Sequence, residues 1–325
     1  MSTETFEQTF SVDTPAQLKV GNVRGTVNIR PGDEGVIEVT AVKHGNNSRT
    51  QIIIEQQDDG TVVAEAKYEN SIANWFGLNK PNRVDFTIRV PKTCSVKVNC
   101  VSSQAVIDGL EGHIDANAVS GKMQLSNLSG NFDFSSVSGK ITADHISGPL
   151  QLNNVSGKVH ISESQIPSMI GKTVSGHVTI ETPLTEGPYD FKSVSGNLSV
   201  ITPEDTACTI RIKSVSGSAK VNLPVTGKSG ARNKQVVEVA GGGPEVNVKS
   251  VSGVLKIGSS KEGITETELI QTEVEFDKPI REVSAPNDEA QSEIPEPQTK
   301  SQMEILQEIE SGEISVEEAL KQLNP

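Results

Sequence analysis

Aromatic side chains are scarce. The 325 residues include 8 Phe, 2 Tyr and 1 Trp, or 3%. A surface that binds single-stranded nucleic acid by stacking bases on aromatic rings is therefore not expected, nor is a sandwich with an aromatic centre. Cysteine is equally sparse: three residues, with no C-x-x-C spacing, give neither a disulfide framework nor a zinc knuckle. Cys94, Val96, Val98 and Cys100 alternate with polar residues, which predicts one buried strand face and structural thiols. No apolar run approaches the 18 or so residues of a membrane-spanning helix. The start, Met1-Ser2-Thr3-Glu4-Thr5, has neither a basic segment nor an apolar one, so no secretory signal is read and a cytoplasmic location is expected.

Charge of one sign is missing from most of the chain. The net charge is −13, but residues 261–325 hold 17 acids and 5 bases, leaving 25 acids and 24 bases for residues 1–260. A nearly neutral body offers no general basic patch for DNA or RNA. With 34% hydrophobic residues and 28 glycines, the body has enough apolar material for a core.

What is present is a repeat. Val-Ser-Gly or a variant places glycine at Gly112, Gly121, Gly130, Gly139, Gly148 and Gly157, in steps of nine, and then at Gly176, Gly196, Gly217 and Gly253. Counted from the glycine, the third column reads Ile114, Met123, Phe132, Ile141, Leu150, Val159. The fifth reads Ala116, Leu125, Phe134, Ala143, Leu152, Ile161. The columns beside them are mostly polar, the mark of a short strand with one buried face. Asn, Ser and Asp in columns six and seven suit a turn. Such short strands must stack on neighbours to be stable.

Taking every second glycine gives steps of 18, 18, 19, 20 and 21 from Gly121 to Gly217, hence coils of two strands each. The last step of 36 is read as a coil plus an inserted loop around Lys228–Gly243. The predicted architecture is an all-β, two-sheet solenoid with coils of about 18–21 residues. Residues 1–100, with strands such as Gln17–Val20, Thr26–Ile29 and Val36–Val42, are expected to cap a repeat body at 101–260. Trp75-Phe76 falls in a loop at 68–82. Residues 261–300 form an acidic linker containing Pro279, Pro286, Pro295 and Pro297. Residues 301–325 read as a helical hairpin. Ser301 with Glu304 and Ser315 with Glu318 make two capping boxes, and Ile305, Leu306, Ile309, Leu320 and Leu323 supply apolar stripes. That hairpin is the expected protein-binding or self-association module.

The Val-Ser-Gly repeats, the phrase Val84-Asp85-Phe86-Thr87-Ile88-Arg89-Val90-Pro91 and the Val-rich strand after it resemble the bacterial adhesin-like DUF4097 family over residues 15–258. The resemblance implies a β-solenoid with no established catalytic motif and no cofactor. The segment Glu304 to Ser315 resembles a short SHOCT-like helical hairpin, which implies oligomerisation or partner binding.

Tested residue by residue, chemistry is thin. The turns lack the repeated aspartate of calcium-binding nonapeptides. Gly227-Lys228-Ser229 lacks the preceding glycine of a phosphate loop, since Asn222 stands there. The five histidines show no metal-ligand spacing. The repeated serines (Ser120, Ser129, Ser138, Ser147, Ser156) have no evident base and are expected to bond turns. With two strands per coil, Lys122, Lys140 and Lys158 should stack about 4.8 Å apart as a candidate anion-binding ladder, for weak contact with an anionic polymer or membrane headgroups. Asp115 and Asp133 should stack on the other sheet. The functional expectation is a non-enzymatic scaffold for binding or assembly. A polymerising, cytoskeletal-type scaffold is the alternative within binding, and a polysaccharide-active β-helix enzyme is the rival class, requiring acids that converge in a groove.

Overall fold

The computed structural model describes residues 3–46, 49–68, 81–231 and 234–259. Every regular element among them is a strand. The N-terminal part holds β1 (Thr3–Ser11), β2 (Ala16–Pro31), β3 (Val36–His44), β4 (Thr50–Gln56), β5 (Val62–Tyr68) and β6 (Arg83–Val90). Then come β7 (Cys94–Asp108), β8 (Glu111–Ala118), β9 (Lys122–Ser136), β10 (Lys140–Ser147), β11 (Leu150–Asn154) and β12 (Lys158–Ser162). Five-residue strands follow: β13 (Met169–Thr173), β14 (His177–Glu181), β15 (Tyr189–Ser193) and β16 (Asn197–Ile201). The last six are β17 (Cys208–Ser214), β18 (Ser218–Asn222), β19 (Val225–Ala231), β20 (Lys234–Val239), β21 (Glu245–Ser250) and β22 (Val254–Gly258).

They stack as two sheets. The first runs β1, β3, β6, the second half of β2, the second half of β7, the first half of β9, then β10, β12, β14, β16, β22, β18. The second runs β4, β5, the first halves of β2 and β7, β8, the second half of β9, then β11, β13, β15, β21, β17, β20, β19. β2, β7 and β9 turn the corner and belong to both, so each is most of a coil. β7 runs unbroken across residue 100, and β2 stacks parallel on it from Ala16 to Ile29.

The pairing register puts the predicted columns on one another: Ile141 lies between Met123 and Val159, and Phe134 between Ala116 and Leu152. All of these are buried, so the alternation that defines the strands also fills the space between the sheets. Phe132 and Phe134 both point inward, with ring centroids 5.6 Å apart. Cys94, Val96, Val98 and Cys100 line the buried face of β7, as their alternation requires.

Corners are made by two glycine ladders. Gly139 approaches the preceding coil so closely that an added Cβ would lie 2.5 Å from the carbonyl oxygen of Gly121. At the opposite corner Gly148 has φ +142°, and a Cβ there would collide with the carbonyl of Gly130. The nine-residue step is the distance from one corner to the other. Three of the five repeated serines bond turns. Ser120, Ser138 and Ser156 donate from Oγ to the carbonyls of Val101, Val119 and Val137, one coil back, at 3.0–3.2 Å.

Two expectations fail at the C-terminal end. The 21-residue step from Gly196 to Gly217 predicts direct stacking of those coils. Instead the last coil in sequence, β21 with β22, slots between them: β22 pairs with β16 on one side and β18 on the other. Ser252 donates to the Val194 carbonyl and Ser216 to the Val251 carbonyl, which carries the same order around the corner. The expected loop at Lys228–Gly243 is largely the β19–β20 hairpin, whose second strand runs antiparallel along β17. The physical reason is edge satisfaction. The chain reverses at once and covers β17 with its own hairpin before returning, which leaves the other side of β17 for β21.

Candidate functional site

Lys122, Lys140 and Lys158 open β9, β10 and β12, each just after a corner glycine, and pair in register as an exposed row. The row continues to Gln104 on β7 and to His177 on β14. Among the described residues none of the three lysines has an ion-pair partner. Alternation places them outward because Met123, Ile141 and Val159, one residue on, are buried.

Asp115 and Asp133 also stack as expected, on β8 and β9. Asp115 is occupied: Lys97 Nζ lies 2.8 Å away, and the Asn117 amide donates to it at 2.6 Å. Asp133 is engaged as well. Their neighbours in register are Lys97 and Gln151, so the row carries no converging pair of free carboxyls.

Elsewhere, polar groups close corners. His145 sits at φ +52° between Asp144 and Glu163, with ring nitrogens 3.2 and 3.1 Å from their carboxylates. Asn127 and Glu163, one coil to either side, share that left-handed backbone. On the N-terminal sheet Asp85 is partly buried, which raises its pKa. Hydrogen bonds from Arg83, Thr26 and His44 outweigh that and hold the carboxyl below its ordinary value. The contacts are Arg83 Nη2 at 3.0 Å, Thr26 Oγ1 at 2.8 Å and His44 Nε2 at 2.9 Å. Burial pushes the thiol of Cys94 up to about 12 and those of Cys100 and Cys208 to about 11, so none is a thiolate nucleophile at neutral pH. No group of three or more potential metal ligands occurs among the described residues. An apolar cavity of about 30 Å³ between the later coils, lined by residues including Phe191, Leu198, Ile212 and Val248, is the size of one or two waters and far below a ligand site.

Sequence reasoning missed a longer lysine row on the second sheet. Lys172, Lys192, Lys249, Lys213 and Lys234 stand side by side on β13, β15, β21, β17 and β20. All five are exposed, and none has an ion-pair partner among the described residues. The signal was present: Lys-Ser/Thr-Val-Ser-Gly begins at Lys172, Lys192, Lys213 and Lys249. Only the insertion of the last coil makes the row continuous. Two residues further on, just past the strand ends, stand Val194 (48% exposed), Val251 (48%) and Val215 (80%).

A body of parallel coils with two glycine corners and two sheets defines a β-solenoid. The chain belongs to the Toastrack DUF4097 family, whose model matches residues 17–258. Solved structures similar to it include a putative adhesin from Parabacteroides distasonis, 13% identical, with a TM-score of 0.45, covering 79% of this chain and 97% of that one. A putative adhesin from Bacteroides fragilis is 12% identical with a TM-score of 0.44 over the same shares. A putative lipid binding protein, also from Parabacteroides distasonis, is 15% identical with a TM-score of 0.39, again over 79% and 97%. No curated protein matches the chain. The expected hairpin residues Ile305, Leu306, Ile309, Leu320 and Leu323, and the Trp75-Phe76 loop, lie outside the described residues.

Proposed function

We propose that the protein is a non-enzymatic, adhesin-like scaffold whose work is binding and assembly. The observation that supports this reading most is the form of its polar surface. Functional side chains lie in flat, in-register rows, and the one acidic row that could have served hydrolysis is taken up by Lys97, Asn117 and their neighbours. Rows on a rigid sheet suit contact with an extended or repeating surface. The Lys122–Lys140–Lys158 row is an anion contact in this reading. Residues 301–325 are the hairpin through which the scaffold captures a protein partner or a second copy, and the cytoplasm is its compartment. No cofactor is required.

Deleting residues 301–325 tests the reading. The truncated protein should keep the β-sheet circular dichroism and melting of the full chain while losing partner capture or dropping in mass by light scattering. Identical association of the two proteins would refute the hairpin's role. A specific observation favours end-to-end assembly as the second reading. Among the described residues β18 hydrogen-bonds only to β22, which leaves its outer edge unpaired at one end of the first sheet, and β1 is the terminal strand at the other. Filaments seen by electron microscopy, lost when Val221 on β18 is replaced by Pro, would support it.

A further inference from the structure

The five-lysine row of the second sheet is costly as it stands. Like charges directly opposite on neighbouring strands are destabilising, and here five follow one another at the strand spacing of about 4.8 Å. The acids on the same strands do not relieve it. Asp190 accepts from Asn247 at 2.9 Å, Glu245 pairs with Arg211 at 2.9 Å, and Glu238 lies at the far end of β20, opposite Thr209. The earlier members of the same register row, Asn99, Asn117, Ser135 and Asn153, carry no charge. The lysines are thus confined to the later coils.

The second row is apolar. Val194, Val251 and Val215 follow their lysines by two residues, one residue past the ends of β15, β21 and β17, where the chain enters the corner, and all three are exposed. Ile170, two residues before Lys172, is 48% exposed on the face of that lysine. In the earlier coils the same motif valines, Val119, Val137 and Val155, are buried. Charge and exposed aliphatic surface therefore begin together and run side by side along the same corner.

We propose that this corner binds the surface of an anionic lipid bilayer, with the lysine row on the headgroups and the valine row pressed into the boundary beneath them. A soluble linear polyanion would satisfy the lysines but leave the valines in water. A bilayer takes both, because basic side chains are drawn to an anionic leaflet and adjacent apolar side chains gain by burial at its interface. The proposal deepens the binding-scaffold reading by giving it a second face and ligand. It is tested by lipid binding, whereas the hairpin reading is tested by mass and capture, so either can fail alone.

The test is flotation of the full-length protein with phosphatidylcholine vesicles, with and without phosphatidylglycerol. Selective binding to the anionic vesicles, weakened by added salt, is expected. The triple variant Lys192→Gln, Lys213→Gln, Lys249→Gln should bind at least tenfold more weakly. The triple variant Val194→Ser, Val215→Ser, Val251→Ser should lose about threefold or more. Both variants alter exposed positions and should melt as the parent does, which circular dichroism checks. Absence of selective binding would overturn the proposal, as would undiminished binding by the lysine variant. Undiminished binding by the valine variant, with full competition by soluble polyglutamate, would replace the bilayer with a linear polyanion.

Discussion

The coils cornered by Gly121, Gly139 and Gly157 and those cornered by Gly176, Gly196, Gly253 and Gly217 share the word Val-Ser-Gly and use it differently. In the first group the valine is a core residue: Val119, Val137 and Val155 are 0–3% exposed. In the second it is half-buried at Val174 and turns outward at Val194, Val251 and Val215, to 80% exposure at Val215. The residue before it changes with it. Where Ala118, Ser136 and Asn154 stand in the early corners, Thr173, Ser193, Ser250 and Ser214 stand in the later ones. Each later hydroxyl accepts the N–H of its own corner glycine at 2.8–3.2 Å. In the early corners the Oγ of Ser136 and the Oδ1 of Asn154 are buried without a hydrogen-bond partner. At the Gly157 corner Asn154 donates from Nδ2 to the Gly157 carbonyl at 2.9 Å, so the corners at Gly121 and Gly139 are held by apolar burial and the later ones by a closed polar turn. The solenoid keeps its path while exchanging one kind of stabilisation for another, and the exchange frees a face for contact.

The comparison rests on both groups sharing the same glycine stacking, and breaking that should have the largest effect. Gly139→Val would drive a side chain against the Gly121 carbonyl, which is held in the sheet, and is expected to abolish the cooperative melt of the body. Lys140→Ala next to it should stay within about 0.5 kcal/mol. Equal melts for the two would mean that the glycine is only a repeated letter. Phe134→Ala comes next, at about 3–5 kcal/mol by denaturant titration, because the side chain is fully buried between the sheets. A variant as stable as the parent would move Phe134 out of the core and shift the register by one.

The sharpest comparison is a matched pair. Val137→Ala should cost about 2 kcal/mol, the loss of two buried carbons plus the space they leave. Val194→Ala should cost no more than about 0.5 kcal/mol. Costs of equal size would erase the distinction between the two corner types. The smallest effect concerns the N-terminal sheet. The Asp85 carboxyl titrates below its ordinary value in the folded protein, so the unfolded chain binds the proton more readily. The stability this contributes is present above the ordinary carboxylate pKa and is lost as pH falls through the lower, folded value. Asp85→Asn should flatten the acid limb of the stability profile below about pH 4, the upper end of that ordinary range. An unchanged acid limb would remove Asp85 from the list of groups that tie β2, β3 and β6 together.

Much of the molecule was legible in advance. The buried columns, the coil length, the inward pair Phe132 and Phe134 and the Lys122–Lys140–Lys158 row all follow from counting residues between glycines, because each coil sits in register on the one before it. Two things were not. The polar corner residues Thr173, Ser193, Ser214 and Ser250 fall outside the nine-residue columns, although their place three before the glycine suits a hydroxyl that closes on its N–H. The five-lysine row is marked in the sequence at four members, but its continuity is not, because Lys249 lies between Lys192 and Lys213 in space and Lys234 joins from the hairpin.

Periodicity alone therefore determined the period, the two faces of each strand and the corners, since these depend on residues within one coil and on the requirement that apolar columns leave water. The order of coils at the C-terminal end was decided by tertiary structure. Coils with the same width and the same glycine corner are nearly interchangeable as neighbours, so no local pattern says that β22 must lie between β16 and β18. The choice went to the arrangement in which the β19–β20 hairpin covers the open edge of β17 and the last coil fills the remaining place.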